Sequence, residues 1–496
     1  MNLGRSGTAH SRSRRLFIVL VVTAGVLALS ANSFASVTIA RTKVSRDPYK
    51  NTSSNHKTEV EPDTFSWGST IVAVFQTGRF YDGGSSNIGW ATSTDNGATW
   101  THGFMPKTTV YANPPGPWDR ISDPAIAYDP KHDVWLAEGL TLTGTTGEDV
   151  IVNRSTDGGL TWQNPVTAAH NPGSFFDKSW IACDTWTSSP NYGNCYVEWD
   201  DAGGGGDVMM VRSTDGGLTW TAATVSGAFG LGGQPLAQPN GAVIVPFLTF
   251  GGSIQALVST DGGKTYTTHS VANVTDHGVA GGLRAVYPLP SAEVDAAGKI
   301  YVVWPDCRFR SGCSSNDIVM STSTNGTNWS SVVRIPIDST GSGRDHFIPG
   351  IGVDRTRSGN SAHLALTYYF YPNANCSEST CQLEVGYVSS TDGGANWTNP
   401  VTLAGAMKLT ALPDTSLGRM VGDYISTSIL GNGNADTVFA NAPRGTCVLG
   451  DVKACHENMV APTGGLPVLA GTNSVGRVAI PGIRSDHQTT GLPLPI

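Results

Sequence analysis

Charge is scarce in this chain. Asp, Glu, Lys and Arg make up only 14% of its 496 residues. After residue 35 there is no run of Lys or Arg. A nucleic-acid partner is therefore not expected, because phosphate neutralisation needs clustered cations. No segment beyond the N-terminus is long and apolar enough to span a bilayer. Cys-x-x-Cys, His-Glu-x-x-His and a nucleophile elbow are all missing, and with them the usual signs of zinc, metalloprotease or serine-hydrolase chemistry. His277, His346 and His456 have no metal-ligand spacing. Glycine, by contrast, is abundant at 60 residues, which suits a turn-rich β chain better than a helical one.

The N-terminus reads as an export signal. Arg5, Arg12, Arg14 and Arg15 precede an apolar run from Leu16 to Leu29, and Ser33-Phe34-Ala35 has the small-x-small form of a cleavage site. Adjacent arginines leave two routes open, a general secretory signal and a twin-arginine signal. Removal of residues 1–35 leaves 27 basic against 39 acidic side chains, a charge of −12. The expected product is a secreted, monomeric chain with no membrane span.

Cysteine usage agrees with export. Eight cysteines fall in four close pairs: Cys183 with Cys195, Cys307 with Cys313, Cys376 with Cys381, and Cys447 with Cys455. Each pair brackets an expected loop, so four local disulfides are predicted, although eight cysteines allow 105 connectivities.

Repeats dominate the rest. Ser93-Thr-Asp95-Asn-Gly97-Ala-Thr99-Trp100 recurs as Ser155 to Trp162, Ser213 to Trp220, Ser259 to Tyr266 and Ser390 to Trp397, with a shortened copy from Ser323 to Trp329. Ser and Asp side chains bond turn amides, Gly supplies a positive φ, and the aromatic packs under the returning strand. A second repeat is a proline column, Pro62, Pro124, Pro235, Pro290 and Pro349, continued by Ser179 and Tyr424. Seven starts imply seven units of short strands, with six as the alternative. Units of this kind bury both sheet faces when arranged radially, so the fold expected is an all-β propeller. It occupies residues 57–460, after an N-terminal strand or linker (36–56) and before a C-terminal extension (461–496). The last unit lacks the octapeptide, and its outer strand is expected from 37–44 or 477–480.

These octapeptides resemble the Asp boxes of the sialidase/neuraminidase superfamily, also called BNR-repeat proteins. The resemblance covers roughly residues 57–460 and implies that Asp95, Asp157, Asp215, Asp261 and Asp392 are structural. It also implies an active site at one mouth of the central channel. The position before the proline column reads Glu61, Asp123, Lys178, Gln234, Leu289, Ile348 and Asp423. Asp123, Lys178 and Asp423 are expected to meet there, with Glu61 near them. Upstream lie Arg120, Arg284, Arg344 and Arg419, the last three in nearly one register. Sialidases bind a sugar carboxylate with an arginine triad and use a Tyr nucleophile with an Asp acid/base. The resemblance thus implies an exo-glycosidase for acidic glycans, with Arg284, Arg344 and Arg419 as the clamp, Tyr424 or Tyr287 as the nucleophile and Asp123 as the acid.

Two departures from the family pattern keep other readings open. No Phe/Tyr-Arg-Ile-Pro precedes the first octapeptide, and Arg334-Ile-Pro336 falls on an outer strand. A glycosidase working with Asp123 and Asp423 as a carboxylate pair is one alternative, and a non-catalytic glycan- or protein-binding propeller is another. No cofactor motif is present. Asp200, Asp201 and Asp207 around Gly203 to Gly206 form the one candidate Ca²⁺ loop, against a plain hairpin tip.

Overall fold

Alternating β-branched and small residues between glycine-rich turns produce short, mostly antiparallel strands throughout the described residues. The computed structural model describes Met1 and residues 39–448 and 455–475. It is all-β, and the only helices among the described residues are four short 3₁₀ turns. Apart from Met1, the expected export signal lies outside the described residues, as do residues 477–480.

The strands are grouped in sheets that follow one another in sequence. Phe176–Cys183, Cys195–Asp201, Asp207–Ser213 and Thr221–Ala222 form one such sheet in simple order. Ser291–Val294, Ile300–Asp306, Asp317–Ser323 and Val333–Arg334 form another. Many central strands are buried along their whole length, for example Ser85–Ser93 and Ile300–Asp306, so both sheet faces are covered. The apolar clusters explain the covering, since they lie between successive sheets. One joins Ala125 and Leu136 to Val197 and Trp199, and another joins Ile244 and Ile254 to Val302 and Trp304.

The first strands of the sheets pack against one another in order. Glu59–Trp67 touches Arg120–Asp129, which touches Phe176–Cys183, then Leu236–Ala237, Ser291–Val294, Asp345–Val353 and Thr427–Ile429. Thr427–Ile429 packs back against Glu59–Trp67. Hydrogen bonds stitch the neighbours. Ile126 N donates to Asp63 Oδ2 (2.9 Å), Lys178 N to Asp123 Oδ2 (3.1 Å), Ala292 N to Gln234 Oε1 (2.8 Å) and Ile351 N to Ser291 Oγ (3.1 Å). Thr427 Oγ1 donates to Gly350 O (2.8 Å), and Thr64 N donates to Ser426 Oγ (2.6 Å), completing the circuit. Close approach requires Gly350, where an added Cβ would meet Ile425 O at 2.5 Å. This arrangement is consistent with a propeller.

The last sheet is finished from the other end of the chain. Arg41–Lys43 pairs antiparallel with Asn458–Pro462, which pairs with Phe439–Asn441. In the C-terminal extension, Asn473–Ser474 pairs with Asn396–Trp397.

The octapeptides form one turn five times over. In the second copy Ser155 Oγ donates to Asp157 Oδ1 (2.8 Å), Thr161 N to Asp157 Oδ1 (2.9 Å) and Thr161 Oγ1 to Asp157 Oδ2 (2.6 Å). The bonds of Asp157 are local, as they are for Asp215 and Asp261.

Four disulfides form, each in its predicted pair. Cys183 joins Cys195 with a Cα separation of 4.0 Å, and Cys307 joins Cys313 at 4.9 Å. Cys376 joins Cys381 at 5.0 Å, and Cys447 joins Cys455 at 4.2 Å. No cysteine is left free. No helix of the described residues is long and apolar enough to cross a membrane.

Candidate active site

One backbone feature builds the site. Glu61, Asp123, Lys178 and Ile348 hold φ of 53°, 46°, 50° and 48°, an unusual region for residues with side chains. Each sits in a register shift between the first and second strands of its sheet. A bulge of this kind re-aims a side chain, and four at one level converge on the inside of the ring.

Lys178 is the centre of the cluster. Its Nζ lies 2.5 Å from Asp423 Oδ2, 3.8 Å from Asp123 Oδ1, 3.8 Å from Asp177 Oδ1 and 4.0 Å from Glu61 Oε1. Arg284 grips Asp423 with two bonds, Nε to Oδ1 (2.8 Å) and Nη2 to Oδ2 (2.7 Å). Gln76 Nε2 donates to Glu61 Oε2. Beside the cluster, a narrow cavity with room for about one water molecule is lined by Lys178, Trp180, Tyr287, Asp423 and Tyr424 among others.

Burial and charge divide the carboxyls into two kinds. Burial pushes Glu61 up to about 8, assisted by Asp123 and opposed by Lys178. Burial likewise raises Asp177 to about 6, and its hydrogen bond to Asp123 supports the protonated form. Burial acts against ionisation of Asp123 and Asp423 too, but cations prevail: Lys178 holds Asp123 down, and Arg284 with Lys178 holds Asp423 far down. The site therefore carries proton-bearing acids next to fixed carboxylates. Asp177, at 14% side-chain exposure, is the most accessible member.

Several expected roles need correction. The sequence casts Asp123 as a proton donor, yet Lys178 keeps it ionised, and it is almost wholly buried. Tyr424 is cast as a nucleophile, yet its hydroxyl donates to Pro124 O (3.2 Å). Burial, then Glu61 and Asp123, raise its pKa well above the ordinary value, so the phenolate is opposed rather than favoured. Tyr287 faces the same cavity, and burial raises it as well.

The arginines take separate partners. Arg284 turns inward to Asp423, while Arg419 turns to the exposed Glu378 (3.0 Å) and to Leu412 O (3.2 Å). Their main chains touch, Arg284 N donating to Arg419 O (2.7 Å), but the side chains part. Arg344 lies over the Phe370 ring at 5.9 Å, and Arg120 bonds Asp82 (2.5 Å) above Phe80. Of the expected clamp, only Arg284 joins the cluster.

The candidate Ca²⁺ loop does not gather its acids. Asp200 is buried beside Asp177, while Asp201 accepts from Ser174 Oγ and from Gly204 N (2.8 Å). Among the described residues one triad has metal-ligand proximity, Asp317, Asp338 and His346. Arg310 and Arg334 already pair with both of its carboxylates, a charge balance that does not fit a cation.

Sequence reading missed Asp177 and Arg79. Arg79 is buried, bonds Gly84 O (2.8 Å), and is lowered to about 10 by burial and by neighbouring Arg284. Glu138, Glu198 and Asp200 are further buried acids, each raised well above the usual range by burial. Adjacency to Lys178 was the one available sign for Asp177.

No family model and no curated protein matches the chain. Among solved structures, a protein of unknown function from Dyadobacter fermentans is 17% identical, with 71% of this chain and 98% of that chain covered and a TM-score of 0.44. The Hadza microbial sialidase Hz136 is 14% identical over 82% of this chain and 66% of its own, at 0.44. Trypanosoma rangeli sialidase is 15% identical over 64% of this chain and 54% of its own, at 0.42. Neither fold nor activity rests on these likenesses.

Proposed function

We propose that the chain is a secreted, sialidase-like propeller of seven blades that hydrolyses glycosides with a carboxyl pair. The cyclic packing of the first strands supports seven blades, with Arg41–Lys43 closing the last. Four disulfides support an oxidising, extracytoplasmic location.

The observation that carries the chemistry is the contrast between Asp177, raised to about 6, and Asp423, held ionised by Arg284 and Lys178. Asp177 donates its proton to the leaving oxygen as the glycosidic bond breaks. Asp423 stabilises the positive charge that develops on the ring, and water completes the hydrolysis. Asp423, Tyr287 and Trp180 line the narrow cavity beside the cluster. The fixed carboxylates Asp123 and Asp423 are already balanced by Lys178 and Arg284, which leaves neither cation free for an acidic glycan and favours a neutral sugar. A sialidase mechanism lacks its arginine clamp here and is the weaker form of the reading.

The test is a panel of chromogenic glycosides, sialosides included, with the mature chain and Asp177→Asn. Turnover of a neutral or amino-sugar glycoside that D177N abolishes supports the proposal. Turnover of sialosides alone, or unchanged turnover by D177N, overturns it.

A further inference from the structure

The far ends of the same inner strands enclose a second cavity, about 1250 Å³ with its open mouth. It is lined by Trp67 and its neighbours, by Glu293, by Val353 to Arg357 and by Thr427 to Gly433. None of these residues belongs to the acid cluster, which sits near the beginnings of those strands.

Trp67 is 40% exposed, one of the few large apolar side chains left in water. Its indole rests on Tyr128 at 5.4 Å, and Tyr128 rests on Trp135 at 4.9 Å, so the exposed face is held by a stack beneath it. Arg355 is fixed over the Phe65 ring at 4.8 Å and bonds Thr185 Oγ1 (3.1 Å). Its Nη2 reaches Glu293 Oε2 at 3.4 Å, a long bond that leaves both groups with capacity for another partner. Both side chains are partly exposed to the cavity, Arg355 at 25% and Glu293 at 18%. Rigid support matters, because a preorganised wall loses little entropy when it binds.

We infer that this cavity is a second, non-catalytic saccharide site, in which a neutral pyranose stacks on Trp67 and shares its hydroxyls between Arg355 and Glu293. An apolar face for the ring and an adjacent donor–acceptor pair for the hydroxyls are the two features that a pyranose presents in complement. The inference does not depend on the hydrolase reading, and the two sites fail separately.

Saturation-transfer NMR on the intact mature chain, with methyl glycosides of glucose, galactose, mannose and N-acetylglucosamine, tests it. At least one glycoside is expected to bind, with Trp67→Ala weakening it tenfold or more and Trp67→Phe retaining most of the affinity. Arg355→Lys is expected to weaken binding several-fold, and its melting temperature controls for folding. Asp177→Asn keeps this binding even where it abolishes hydrolysis. Binding of none of the four, or equal affinity in wild type, W67A and R355K, overturns the inference. Binding that survives in a chain with no hydrolytic activity sinks only the hydrolase proposal.

Discussion

Lys178 Nζ stands 2.5 Å from Asp423 Oδ2 although the two residues are 245 positions apart in the chain. Both side chains are nearly inaccessible. Loss of Lys178 leaves the buried Asp123 without its cation, although Asp423 keeps Arg284. Lys178→Met is therefore expected to destabilise the protein by about 3–5 kcal/mol. Adding Asp123→Asn to it should recover part of that loss, because Asp123 is the carboxylate that Lys178 alone neutralises. Urea unfolding of the single and double variants measures both, and strictly additive losses would show that this pair carries no coupling.

Activity should fall as pH rises through about 6, because Asp177 then surrenders the proton that it must donate. The acid side should stay flat well below pH 4, since Asp423 is held ionised by Arg284 and Lys178. Asp177→Asn is expected to lower kcat by about 10²–10⁴ with little change in KM. A descending alkaline limb that D177N leaves in place would assign the titration to another group.

Glu59 lies in a different buried site, and burial raises it to about 8, with Asp47 adding to the effect. A carboxyl in the unfolded chain titrates near about 4.3. The folded state therefore binds this proton more tightly. Its contribution to stability is complete below pH 4 and is lost as pH climbs to about 8. Melting temperature should decline over that interval, and Glu59→Gln should flatten the decline. Parallel curves for the two proteins would remove Glu59 as a source of the slope.

Cys183 and Cys195 face each other across an antiparallel ladder and close a short loop. Replacing both with Ser should cost about 3 kcal/mol by loop-closure entropy. Thiol titration of the native exported protein should find no free thiol among the eight cysteines.

Asp157 makes four local bonds in its turn, with Ser155, Leu160 and both donors of Thr161. Asp157→Ala should cost about 1–2 kcal/mol and leave hydrolysis unchanged. A selective loss of activity at full stability would mean that the turn has a role beyond holding its sheet.

Features confined to a few neighbouring residues were legible in the sequence. The octapeptide turn is one, because Ser155, Asp157 and Thr161 satisfy one another without help from the rest of the fold. The disulfides are another, since their partners lie 5 to 12 residues apart, from Cys376 and Cys381 at the short end to Cys183 and Cys195 at the long one. The proline column pointed to Glu61, Asp123, Lys178 and Asp423, which the fold does bring to one place, the first three through bulges. Side-chain direction was not legible. Arg284 and Arg419 share a main-chain contact, yet one pairs with a buried Asp423 and the other with an exposed Glu378. Nothing local decides between these partners. Proton affinity was equally hidden, because the state of Asp123 is set by Lys178 from the next sheet.

The strand Arg41–Lys43 imposes an order on the making of the molecule. Thr42 and Thr463, bonded at 2.8 Å, are separated by 421 residues of synthesis. At about 5–20 residues per second, the first strand exists for roughly 20–80 s before its partner does. Throughout that time it is an edge without a neighbour, exposed to pairing with the same segment of another nascent chain. The circle cannot be shut early by any local event. Its final seam joins two segments that lie 421 residues apart in the chain.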